Sequence, residues 1–131
     1  MAYIMSSENS GRGIVVSWDG DVSGEEMLIA NEAMYQKDPQ NRLRYQIWDF
    51  SAAERFHMTE DQIRSIAFQD QQASQKNPQQ IVAIVGPGSL FTGADRRYAI
   101  YAQVWSGFES KTFSDIDGAR KWIAEETGDQ T

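Results

Sequence analysis

The chain has 131 residues, with 12 Lys and Arg against 19 Asp and Glu, one His, no Cys and a net charge of −7. At 40% hydrophobic and 11% aromatic content it is too apolar for a disordered chain. It is also too acidic for nonspecific binding to nucleic acid or an anionic membrane, both of which need a Lys/Arg surplus. The absence of cysteine excludes a disulfide, a thiolate nucleophile and a Cys-ligated metal, and one histidine leaves a single ordinary imidazole base. No apolar run approaches the ~20 residues that span a bilayer. The N-terminus does not follow a basic stretch with an apolar one, as a secretory signal would. The expectation is one cytoplasmic domain over residues 1–131, without a cofactor, its tail fraying from about Gly128.

Hydrophobic periodicity predicts the elements in chain order. Tyr3-Ile4-Met5 is a short strand, and the polar stretch 6–13 is a turn. Ile14 to Trp18 is a β-branched strand that pairs back on the first. A helix then starts with Ser23 and Glu26 as a capping box and Val22 with Met27 as a hydrophobic staple; it ends near Lys37, ahead of Pro39. Arg44 to Phe50 is the next strand, entering the core at Ile47 and Trp48. The second helix repeats the same start, with Thr59 and Gln62 as the box and Met58 with Ile63 as the staple. Its buried stripe is Ile63, Ile66, Ala67 and Ala73. The glutamine-heavy stretch from Gln69 to Gln80 is expected to be a solvated helix end and a loop stopped by Pro78.

Ile81 to Val85 is apolar throughout, as a central strand covered on both faces would be. Gly86-Pro87-Gly88 forms a turn. A third helix is predicted from about Thr92 to Ser106, with Ala94, Tyr98, Tyr101, Ala102 and Trp105 on one face. Phe108 to Phe113 is the last strand. Ser114 and Asp117 open a final helix that buries Ile116, Ala119, Trp122 and Ile123. The order ββαβαβαβα implies an α/β fold: a five-stranded, mostly parallel sheet with an antiparallel N-terminal hairpin and about four helices.

The chemical motifs are thin. Asp19-Gly20-Asp21-Val22-Ser23-Gly24 has the oxygens and glycine of half a calcium loop, but the twelfth position, which must supply a bidentate carboxylate, is Ala30. A strand-to-helix turn closed by Ser23 explains the same residues, and no metal site is expected. Gly86-x-Gly88 and Gly93 lack the lysine of a phosphate loop and the spacing of a dinucleotide fingerprint. Arg96 and Arg97, one turn into the third helix, would be the groups to hold an anion at its start. His57 lies near Asp49, Ser51 and Glu54 without the frame that a nucleophile needs, which favours a packing role. The acid pairs Glu25–Glu26 and Glu60–Asp61 sit in first turns, where they complement the helix dipole.

Four stretches carry a family resemblance: VVSWDGDVSGEEM, YQIWDFSAAERFHMTEDQI, IVAIVGPGSLFTGADRRYA and KTFSDIDGARKWI. Together they resemble the SpoIIAA-like family, a branch of the STAS-type fold of anti-sigma-factor antagonists that is also compared with CRAL-TRIO lipid-binding domains. The resemblance implies a five-strand, four-helix domain without enzyme activity. In phosphorylated antagonists of this type, a strand ending Asp-hydrophobic-Ser leads to Met-Asp-Ser-Ser-Gly, whose first serine a kinase modifies. Here Asp49-Phe50-Ser51 and Met58 match, but Thr59 and Glu60 stand at the Asp and the serine. A carboxylate there is already charged and has no hydroxyl to modify.

The resemblance and the residues favour a non-enzymatic interaction module that binds an unidentified protein partner through Glu54, His57, Thr59, Glu60 and Asp61. The alternative, from the CRAL-TRIO comparison, is a binder of a small apolar ligand or lipid. Its pocket would lie under the third helix, at Phe91, Gly93, Arg97, Tyr98, Tyr101 and Trp105. A homodimer, through a strand edge or the aromatic helix, is compatible with either reading.

Overall fold

The structure, a computed structural model, describes residues 3–86 and 108–128. Five strands run through them: β1 Tyr3–Glu8, β2 Gly13–Ser23, β3 Tyr45–His57, β4 Ile81–Val85 and β5 Glu109–Phe113. The helices are α1 Gly24–Gln36, α2 Glu60–Lys76 and α3 Ile116–Thr127. The sheet order is β1-β2-β3-β4-β5, with β1 antiparallel to β2 and every other pair parallel. This is the expected α/β sheet with its N-terminal hairpin. The described residues hold three helices, and the helix expected over residues 92–106 lies outside them.

Alternation along the strands divides the core in two. Ile14, Val16, Trp18, Trp48, Phe50, Val82 and Ile84 point to one face, where Met27, Ala30 and Met34 of α1 and Ile63 and Ile66 of α2 cover them. Stacked rings at 6.0–6.4 Å join Trp18, Trp48 and Phe50 at the centre of this layer, an arrangement that adds to the area buried. Tyr45, Ile47, Ile81, Ala83 and Val85 point to the other face, under Ala119, Trp122 and Ile123 of α3. Both faces of β4 are therefore buried, which its uninterrupted apolar sequence requires.

Several boundaries differ from the local reading. β1 extends to Glu8, and the turn after it is one 3-10 turn, Asn9–Gly11, with positive φ at all three residues. β2 continues past Trp18 to the cap of α1. Gly20, at φ +69, accommodates the change of register there. β3 runs to His57 rather than stopping at Phe50, because β2 supplies it with a parallel partner as far as Ser23↔His57. Polar residues of modest β propensity are held in a strand by that pairing. The cap of α3 is Asp115, which accepts from Gly118 N–H at 2.8 Å, so the helix starts one residue later than a Ser114 cap would place it.

The caps of α1 and α2 form where they are expected. Ser23 Oγ accepts from Glu26 N–H at 3.1 Å and donates to the Glu26 carboxylate at 3.2 Å. The box at Thr59 is reciprocal: Gln62 N–H donates to Thr59 Oγ1 at 3.1 Å, and Thr59 N–H to Gln62 Oε1 at 2.9 Å. The stretch from Gln69 to Gln80 is not wholly solvated. Gln80 is 2% exposed and Asn77 is buried, its amide donating to Leu43 C=O at 2.7 Å. These side chains meet partners from β3 and the loop before it, which local polarity does not reveal.

Candidate functional site

The carboxyl ends of β2 and β3 project past the last described residue pair of β3 with β4, Asp49↔Val85. Two register shifts lengthen β3 relative to β2. The second lies between the pairs Gly20↔Ala53 and Asp21↔Arg55 and leaves Glu54 as the extra residue. A bulge of this kind turns a side chain out of the ladder, and Glu54 is exposed. Next to it, Asp21 stands between two basic side chains, 3.6 Å from Arg55 Nε and 3.6 Å from His57 Nε2. All three are more than half exposed, so these pairs shape the surface charge and add little stability.

Both helices of the aromatic face begin at the same end. Gly24, the first residue of α1, lies directly against Gln62, and a Cβ at position 24 would strike the Gln62 amide. The two N-termini are thereby locked side by side. Glu60 and Asp61 stand exposed in the first turn of α2, and Glu60 pairs with Arg64 at 3.3 Å. Acids at this position favour the helix by acting on the unsatisfied amides of its first turn.

The structure thus brings Glu54, His57, Thr59, Glu60 and Asp61 to one end of the sheet. It corrects their setting: Glu54 and His57 are strand residues, and the connection to α2 is only Met58 and Thr59. The chain reading missed Asp21 and Arg55. Their pairing follows from the register of β2 on β3, and the only local trace of it was the alternation of Val22 and Phe56 toward the core.

The hydroxyls near this end are already engaged. Ser23 Oγ is bonded to Glu26, and Ser51 Oγ donates to Asp49 at 2.6 Å, whose carboxylate also accepts from Ser51 N–H at 3.0 Å. The His57–Asp21 separation is longer than a hydrogen bond. The stretch Asp19–Ser23 is a strand closed by a helix cap, and among the described residues no group of acids and histidine is clustered as a metal site. Phe91, Gly93, Arg97, Tyr98, Tyr101 and Trp105, with Arg96, lie outside the described residues. No helix among the described residues is long and apolar enough to cross a membrane.

No family model matches the chain, and no curated protein does. A solved structure of an uncharacterized DUF3478-family protein from Shewanella loihica PV-4, with a SpoIIAA-like fold, is similar over 93% of this chain and 92% of its own. The TM-score is 0.56 at 15% sequence identity. The likeness is one of fold.

Proposed function

We propose that this SpoIIAA-like domain is a non-enzymatic interaction module that docks a protein partner on the rim formed by the ends of β2 and β3 and the first turn of α2. The observation that supports this is the convergence of Asp21, Glu54, Arg55, His57, Glu60 and Asp61 on one exposed, mixed-charge edge held by rigid elements. Mixed charge on a fixed scaffold selects partners by complementarity and suppresses wrong ones. The hydroxyls beside it serve caps and turns, consistent with recognition rather than covalent chemistry. The role of Glu60 is electrostatic: a standing carboxylate occupies the place of a switchable serine, so docking here does not wait for a kinase.

The test is charge reversal. Glu60→Lys with Asp61→Lys should lower crosslinked partner yield from native cells at least tenfold, measured by quantitative mass spectrometry against the parent chain. The same pair should cost only about 1–2 kcal/mol of stability through the helix dipole, read from denaturant melts. Undiminished yield of the same crosslinked partners would refute the proposal.

A further inference from the structure

On the aromatic face, α1 and α2 touch at Gly24 and Gln62 and are tied again by Tyr35 and Asp70. The groove between them, about 570 Å³, is bounded by Tyr35 and Glu32 of α1, Phe68, Gln69 and Lys76 of α2, and Gln80 before β4. That volume is within the range of small-molecule sites. Phe68 is 58% exposed on its wall.

A chain of buried amides behind the groove determines what it presents. Trp48 Nε1–H can only donate, and it donates to Gln46 at 2.9 Å, so that end of the Gln46 amide is its oxygen. The other end is therefore NH2, which donates to Gln80 at 2.7 Å and lies 3.3 Å from Tyr35 Oη. The end of Gln80 that faces Gln46 must be oxygen, which leaves its NH2 toward the groove. Gln80 is 2% exposed, and this nitrogen has no hydrogen-bond partner among the described residues.

A second relay ends the same way. The Asp70 carboxylate accepts from Tyr35 Oη at 2.6 Å and from Asn31 Nδ2 at 2.9 Å, and Asn31 Nδ2 also donates to Gln69 Oε1 at 2.9 Å. The Gln69 NH2 is thus turned outward, also without a partner among the described residues. Two oriented amide donors, held from behind, flank an exposed aromatic ring. The carboxylates of Glu32 and Asp38 outnumber the one ammonium of Lys76 on this lining, which disfavours an anion.

We propose that the groove binds a neutral carbonyl compound with an aromatic or aliphatic body, its oxygen accepting from Gln69 and Gln80 and its body lying on Phe68. A donor at the floor of the groove with no partner among the described residues is open to an acceptor from a ligand.

Benzamide is a suitable probe, with benzoate as its charged counterpart. A fragment this small binds with a Kd of about 1–10 mM. In 1H–15N spectra of the full chain, benzamide should shift the side-chain NH2 signals of Gln69 and Gln80 saturably, and benzoate should bind at least fivefold more weakly. Phe68→Ala, at an exposed position, should weaken benzamide at least fivefold. Gln69→Glu, which keeps an oxygen toward Asn31 and removes the outward donor, should do the same. Unmoved amide signals would overturn the proposal, as would benzoate binding as well as benzamide. Unchanged affinity in a folded Phe68→Ala variant would also overturn it, even if Gln69→Glu failed to fold.

Discussion

Two carboxyl groups tie elements together on opposite faces of this sheet, and their environments act on them in opposite senses. Asp70 sits between α1 and α2, accepting from Tyr35 and Asn31. Burial outweighs those two hydrogen bonds and pushes its carboxyl up to about 6. Glu8 fastens the end of β1 to α3, accepting from Arg120 Nη1 at 2.9 Å and Nη2 at 3.3 Å and from Tyr45 Oη at 2.6 Å. Burial acts against its ionised form as well, but the hydrogen bonds from Arg120 and Tyr45 and the Arg120 charge prevail and hold its carboxyl below the usual range. The difference is the cation. Hydrogen bonds from neutral donors leave a desolvated carboxylate at a disadvantage, whereas a guanidinium fork reverses the sign.

The largest expected effect displaces the Tyr45 side of the Glu8 clasp while leaving the Asp70 clasp intact. A Cβ at position 13 would fall on the ring of Tyr45, so Gly13→Ala must displace the ring that supplies a hydroxyl to Glu8. The expected loss is about 3 kcal/mol, at the upper end for overpacking, read from the urea midpoint. The variant should keep the response to pH that Asp70 confers; loss of that response would mean the two clasps are coupled.

Asp70→Asn should act in the other direction. Because the folded carboxyl titrates above its unfolded value, the parent carries no penalty below about pH 4. The penalty grows as pH rises through about 6 and is complete at pH 7.5. The asparagine should therefore stabilise the protein by about 2 kcal/mol at pH 7.5, with the gain vanishing by pH 4. A variant equal to the parent at pH 7.5 would contradict the reading of Asp70 as desolvated and cation-free.

The smallest effect is at Glu8, whose lowered carboxyl has the opposite dependence. Its contribution is present above the ordinary carboxylate range and is lost as pH falls through the folded value. Glu8→Gln should cost about 1 kcal/mol at pH 7 and less at pH 3, a difference that thermal melts across pH can resolve. In the parent the two slopes oppose each other: lowering the pH relieves Asp70 and, further down, costs the Glu8 clasp.

Much of this architecture was legible from the chain. The sheet with its hairpin, the caps at Ser23 and Thr59, the buried stripe of α2 and the doubly buried β4 all follow from periodicity and capping, which operate over a few neighbouring residues. The candidate site was half legible. Glu54, His57, Thr59, Glu60 and Asp61 were visible as polar residues around a helix start, but Asp21 and Arg55 join them only because β2 and β3 remain paired through two register shifts. A strand of mixed polarity has no signature until its partner is known.

The same limit explains the glutamines. In sequence, Gln46, Gln69 and Gln80 differ little from those that stay in solvent. Burial of an amide depends on whether a partner from another element meets it, and here Trp48, Asn31 and Tyr35 do so from β3 and α1. The chain alone determined where helices begin and which side chains seek the core, because those preferences are local. The tertiary structure decided how far the strands reach, which polar groups are buried and which way each buried carboxyl titrates, because each depends on groups distant in sequence.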